Sequence, residues 1–222
     1  MKITEFFHRF YEALSRNQLK IYLPEIEALK NVPEMEEHHP ERNTFSHTML
    51  TLEHAENNVP AININQVKFG LIFHDIGKLM TPKEILPHHY GHEERGIEIV
   101  ENVCNRLNIE YTYKNIAVLS IKYHLKLRRI CGMRIGHIFD MIRDITNDFS
   151  DILMLEILFQ VSESDLFGRR KKPSEKQITK LEKSKGIAYN MYTIFNDIKL
   201  NISFQTLRRE TLLNYYCNKI NK

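Results

Sequence analysis

The chain has 222 residues, 42% of them hydrophobic, enough to build the core of one large domain or two small ones, so it is expected to fold as an ordinary globular protein. A net charge of +3 and a pI near 8.6 permit an anionic partner but fall short of the basicity of a protein that coats nucleic acid. Cys104, Cys131 and Cys217 lie far apart without a C-x-x-C pair, which argues against a disulfide framework or a thiolate zinc site and fits a reducing cytoplasm.

From the N-terminus, Ile3, Phe6, Phe7, Phe10, Tyr11 and Leu14 recur at three- and four-residue spacing and predict an amphipathic helix. Charges interrupt that run, so neither a secretion signal, a membrane span nor a membrane partner is expected. Thr44 is placed to cap a helix carrying His47, Met49, Leu50 and Leu52. Val67, Leu71 and Ile72 point a further helix into the core, and Gly77 is expected to loosen or end it. Thr81 with Pro82 reads as the cap and first turn of another helix. Ile97, Val100, Val103, Cys104 and Leu107 form the next stripe, and Ile116, Leu119, Ile121 and Tyr123 line part of one more. No convincing strand series, internal repeat or low-complexity tract is present, so the predicted fold class is all-α. The composition shifts at Arg169 to Lys185, RRKKPSEKQITKLEKSK, either a solvated connection into a final helical segment or a phosphate-facing rim.

The chemistry concentrates in LIFHDIGKLM, Leu71 to Met80, where His74 and Asp75 interrupt an oily run. Burying a polar group without a partner costs roughly 2 to 7 kcal/mol, and a lone charge costs more. A divalent ion offsets that cost by giving each group a bond, and imidazole and carboxylate suit borderline and hard cations. His47, His74, Asp75 and Asp165 are expected to form one ligand set, while His92 and His124 hold a second ion bridged by Asp75. Ligands spread over separate helices are what a bundle core brings together. Lys78, one turn after His74, lies on the same face and can reach an anion such as phosphate, and Arg169, four residues after Asp165, is placed either for a helix-end salt bridge or to offer its planar fork to one. His8, His38, His54 and His137 raise no such question.

The order of His47, HDIGK from His74 and Asp165 resembles the HD-domain metal-dependent phosphohydrolases. More narrowly, LPEIEAL (Leu23 to Leu29), HPE (His39 to Glu41), HTMLTL (His47 to Leu52), HDIGKLMTPKEILPHHYGH (His74 to His92) and SESDLFGR (Ser162 to Arg169) resemble the C-terminal HD domain of bacterial multifunctional CCA-adding proteins. The resemblance implies an HD-type helical bundle with added N- and C-terminal helices, read as a single domain over residues 1–222 with its core at about 20–170 and an extension at about 171–222. It implies one or two divalent ions (Mn, Fe, Ni, Co, Zn or Mg) on the six ligands named above, and it adds His89 to Lys78 and Arg169 as phosphate contacts.

The implied activity is hydrolysis of 2′,3′-cyclic phosphates, 2′-nucleotides or phosphomonoesters, with a phosphorylated nucleotide or an RNA 3′ end, tRNA included, as substrate. Two departures accompany it. The sequence carries no G-G-x-x-R-D-like loop of a nucleotidyltransferase head, so nucleotide addition is not expected, and the likeness fades beyond about Lys171. A nucleotidase acting on free nucleotides and a non-catalytic RNA- or protein-binding module are the alternatives, and amphipathic ends allow a homodimer.

Overall fold

A computed structural model describes residues 1–37, 39–147 and 150–198; His38, Cys217 and the end of the expected C-terminal extension lie outside them. Among the described residues the structure is all-α, with no strand. The helices are α1 (Ile3–Ser15), α2 (Leu19–Tyr22), α3 (Pro24–Ala28), α4 (Thr44–Asn58), α5 (Ile64–Phe73), α6 (His92–Arg106), α7 (Tyr111–Leu127), α8 (Ile135–Ile145), α9 (Ile152–Phe167) and α10 (Glu175–Ile198). Short 3₁₀ turns lie at Leu29–Asn31, Ile76–Met80, Lys83–Ile85 and Ile130–Gly132. No helix among these residues is long and apolar enough to cross a membrane.

Three local expectations change. Asn43, not Thr44, caps α4: its side chain accepts from the Ser46 N–H at 2.8 Å, whereas the Thr44 hydroxyl donates to Glu34 at 2.7 Å. Thr81 and Pro82 precede only the 3₁₀ turn Lys83–Ile85, because the Thr81 hydroxyl bonds His89 rather than a helix N–H. The helix before HDIGK stops at Phe73, with His74 as its cap residue, so His74 and Asp75 stand at a helix end and the chain tightens into Ile76–Met80.

The contacts divide the chain into two compact units, Met1–His124 with Gln160–Pro173 and Leu125–Phe159 with Ser174–Lys222. In the first, α5 is buried over every residue from Val67 to Phe73, all of them apolar except Lys68, whose ammonium meets Glu56 at 2.6 Å, so no side of this stretch can face solvent. Phe69 and Phe73 pack on Phe6 of α1 with ring centroids 5.0 and 6.5 Å away, and each such buried side chain stabilises the fold by roughly 1.5 to 3 kcal/mol. This packing carries the end of α5, and with it His74 and Asp75, into the interior. In the second unit Phe139 of α8 meets Phe195 of α10 at 6.1 Å, and Phe159 stacks on Tyr189 at 5.9 Å.

Missing side chains set how closely the elements of the first unit approach. A Cβ on Gly77 would stand 1.9 Å from the His92 carbonyl oxygen and 2.5 Å from the Gly96 nitrogen. A Cβ on Gly168 would stand 2.5 Å from the Thr51 Cα. Gly77 is therefore needed for space against α6, not for loosening a helix. Forcing a methyl into either contact displaces backbone, and overpacking of this kind costs about 1 to 3 kcal/mol. Gly77→Ala and Gly168→Ala are each expected to lower the urea unfolding free energy by that amount; a midpoint equal to wild type in either would refute the close-approach account.

Candidate metal centre

The first unit brings together all six side chains proposed as ligands. They come from α4 (His47), the end of α5 (His74, Asp75), the first residue of α6 (His92), α7 (His124) and α9 (Asp165), and all are buried. Asp75 lies between them. Its Oδ2 is 3.2 Å from His74 Nε2 and 3.8 Å from His47 Nε2, and its Oδ1 is 3.2 Å from His92 Nε2 and 3.6 Å from His124 Nε2. Asp165 Oδ1 lies 3.0 Å from His47 Nε2 and 3.9 Å from His74 Nε2. Two ligand groups result, His47–His74–Asp165 and Asp75–His92–His124, each with donor atoms within 4.8 Å of one another.

The far side of each ring decides which nitrogen is available. His74 Nδ1–H donates to the Leu71 carbonyl at 2.7 Å, His92 Nδ1–H to the His89 carbonyl at 2.9 Å, and His124 Nδ1–H to the Ser120 carbonyl at 2.9 Å. His47 Nδ1–H donates to Glu41 Oε1 at 3.1 Å. A carbonyl oxygen can only accept, so the proton of the His74, His92 and His124 rings stays on Nδ1 and their Nε2 lone pairs face the carboxylates, while His47 lies between two carboxylates, its Nε2 within hydrogen-bond distance of Asp165 Oδ1 at 3.0 Å. His74 Nε2 and His92 Nε2 are buried and make no hydrogen bond, although an Asp75 oxygen is 3.2 Å from each. Lone pairs held against carboxylate oxygens repel unless a proton or a cation intervenes, so the donor set fits a divalent ion.

The electrostatics agree. Burial would raise the Asp75 pKa, but the Lys78 charge and His74 outweigh it and hold the carboxyl well below the usual range. Burial would lower His47, yet its bonds to Asp165 and Glu41 raise it. Burial likewise opposes, and the nearby Asp75 carboxylate produces, the raised pKa of His92, whereas at His124 burial prevails and the pKa falls.

The proposed phosphate contacts are placed differently from one another. Lys78 is buried, with Nζ 2.8 Å from both Asp75 Oδ2 and Glu34 Oε1. Arg169 donates to Asp165 Oδ1 at 3.2 Å and to its carbonyl at 3.2 Å while staying partly accessible. His89 has both ring nitrogens engaged: Nε2–H donates to the Pro33 carbonyl at 2.8 Å and Nδ1 accepts from the Thr81 hydroxyl at 2.8 Å. It therefore fastens its loop.

Sequence reasoning assigned no role to Glu34, His39 or Glu41. Glu41 Oε1 accepts from His39 Nδ1 at 2.9 Å as well as from His47. His39, Glu41 and His47 also have donor atoms within 4.8 Å of one another, but the His47 nitrogen facing Glu41 already carries its proton, which makes this group a support for His47. The HPE motif signalled that His39 and Glu41 matter without saying what they touch.

The HD domain family model matches residues 44–181 of this chain. A multifunctional CCA protein of Haemophilus influenzae (strain PittGG) is 40% identical over 129 residues, 56% of this chain and 31% of the relative. That of Mannheimia succiniciproducens is 44% identical over 117 residues, 52% of this chain and 28% of the relative, and that of Acinetobacter baylyi 35% identical over 155 residues, 68% and 36% respectively. The chain thus spans about a third of the length of the curated relatives it matches.

His39 generates a pH dependence in the cation-free protein. Burial, then the charges of Arg169 and His47, lower its pKa from 6.5 to about 4. A base with a depressed folded pKa leaves the unfolded chain binding the extra proton, so its contribution is complete above 6.5 and is lost as pH falls toward 4. Replacing His39 by Asn is expected to remove up to one proton of slope, about 1.4 kcal/mol per pH unit, from urea stabilities measured in that window. An unchanged slope would show that His39 titrates normally.

Proposed function

Because the chain belongs to the HD domain family, typically metal-dependent hydrolases, we propose that it is a phosphohydrolase acting on 2′,3′-cyclic phosphates, 2′-nucleotides or phosphomonoesters, at nucleotide or RNA 3′ ends. The observation that carries this reading is the convergence of four imidazole Nε2 atoms on two carboxylates, with the rings locked from behind and two nitrogens left without a hydrogen bond. The relatives' description as CCA proteins supports tRNA as a substrate.

His47, His74, Asp165 and Asp75 Oδ2 would hold one ion; His92, His124 and Asp75 Oδ1 would hold a second. A bound divalent ion lowers the pKa of a water toward about 7 and polarises phosphoryl oxygens. The chain supplies the rest. Glu41 and the three carbonyl acceptors keep every Nδ1 protonated, so each ring presents a lone pair at Nε2. Lys78 spends two N–H groups on Asp75 and Glu34 and keeps the third for a phosphoryl oxygen. Arg169, steadied by Asp165, presents its remaining N–H fork to a phosphate. Burial of the six proposed ligands and Lys78 excludes water that would screen their charges.

The test is an assay of protein reconstituted with Mn, Co, Ni, Zn, Fe or Mg on a 2′,3′-cyclic nucleotide, a cyclic-phosphate-ended RNA, a 2′-nucleotide and free nucleoside triphosphates. Hydrolysis of the cyclic phosphate is expected, with Asp75→Ala reducing kcat/KM by more than about 100-fold, beyond what loss of a mere orienting group costs. Turnover undiminished in Asp75→Ala would sink the assignment, and turnover of triphosphates alone would favour a nucleotidase. Glu41→Gln is expected to weaken ion affinity by about 10- to 100-fold, read by calorimetric titration of chelator-treated protein, because His47 Nδ1–H then donates to a neutral amide oxygen in place of a carboxylate.

A further inference from the structure

We propose that Glu34 is a positioning residue for the metal centre, acting through Lys78: by sharing the ammonium with Asp75 it keeps Lys78 from neutralising the carboxylate oxygen that faces His47 and His74. The inference rests on the metal-centre reading above and assigns a function to a residue outside the ligand set.

Three observations carry it. Lys78 Nζ is equidistant from its two acceptors, 2.8 Å from Asp75 Oδ2 and 2.8 Å from Glu34 Oε1. Asp75 Oδ2 is also the oxygen within 3.2 Å of His74 Nε2 and 3.8 Å of His47 Nε2, so the ammonium and a cation would compete for the same lone pairs. Glu34 is anchored independently of Lys78. Its N–H donates to the Arg42 carbonyl at 2.9 Å, Pro33 pairs with Asn43, and Thr44 N–H donates to the Val32 carbonyl at 3.1 Å. The Thr44 hydroxyl donates to Glu34 Oε1 at 2.7 Å, and Thr44 opens the helix that carries His47.

The consequence follows from charge. An anchored carboxylate cannot follow Lys78 toward Asp75, so the ammonium is held between two anions and each receives part of its field. Removing the Glu34 charge leaves Asp75 as the sole anionic partner, and Lys78 then saturates Oδ2. A glutamine retains the size of the side chain and an oxygen for the Thr44 hydroxyl, which makes Glu34→Gln a change of charge more than of packing.

The experiment is calorimetric titration of the chelator-treated full chain with Mn²⁺, Co²⁺, Ni²⁺ and Zn²⁺, with thermal melting to establish folding. Glu34→Gln is expected to weaken ion binding about 10-fold, as loss of an outer partner does, and Glu34→Asp to recover most of it. In a Lys78→Met background the competitor is gone, so adding Glu34→Gln is expected to change affinity less than about 2-fold. Equal affinity in wild type and Glu34→Gln overturns the proposal, as does an undiminished effect of Glu34→Gln beside Lys78→Met. If the Lys78→Met proteins do not fold, the comparison of Asp with Gln at position 34 decides: equal weakening by both overturns it. Wild-type protein that binds none of the ions overturns this inference and the proposed function together, whereas normal wild-type binding with an unaffected Glu34→Gln overturns this inference alone.

Discussion

A carboxylate buried in a helical core must be surrounded by positive charge, and Asp75 is the group on which the rest of the first unit is arranged. Even after relaxation, taking an ion out of water costs several kcal/mol, which only close and well-directed partners offset. The Lys78 ammonium lies at 2.8 Å, and four imidazole nitrogens lie within 3.8 Å of the two Asp75 oxygens, placed to share a cation with them. The two oxygens divide these neighbours between them, which is why one residue can belong to both halves of the centre. The apolar helix α5 fixes the site of burial, since no face of it can turn toward solvent without exposing Val67 to Phe73.

The partners reach Asp75 because elements approach closely one or two turns away. Gly77, two residues past Asp75, accommodates the His92 carbonyl and Gly96 of α6, and so holds His92 to Oδ1. Gly168, three past Asp165, lies against Thr51, four past His47, and so brings α9 to α4 where that carboxylate meets that imidazole. Gly70 faces Ser120 in the same way: each lies four residues before a ligand, His74 and His124, whose rings meet at 5.1 Å. Ligand geometry is thus set by backbone packing rather than by the ligands themselves, which lets the rings keep their Nδ1 bonds to backbone carbonyls.

Much of this was legible in the sequence. Periodicity found α1, α4, α5, α6 and α7, and an HD pair inside an apolar run marked the site, because burial of His74 and Asp75 needs explanation whatever the fold. The six candidate positions could be named because histidines and an aspartate recur on separate expected helices and because their order around HDIGK resembles that of HD domains. What periodicity could not supply was the path of the connections. Thr44 looked like a cap, but Asn43 is equally suited, and which of them turns toward the helix depends on the Pro33–Asn43 pairing and the positive φ of 71° at Arg42. His89 looked like a phosphate ligand by its motif, yet the loop it fastens is specified by contacts with Thr81 and Pro33, residues 8 and 56 positions away. Gly77 was read for its conformational freedom when its importance is the absence of a side chain.

Family membership accounts for ligands and leaves open how they are tuned. The residues that orient His47 and restrain Lys78 are carboxylates at positions 41 and 34, in an irregular connection before α4 with no helical or strand spacing to announce them. Their effect is electrostatic and steep with distance: moving a unit charge from 2.8 Å to even 5 Å nearly halves its Coulomb energy at constant dielectric. Small changes in the path of residues 32 to 44 would therefore alter how strongly the six proposed ligands could hold an ion without altering any of them. Two HD domains with identical ligand sets need not share an ion preference or a rate, and the connection before α4 is where the physical basis for that difference is to be sought.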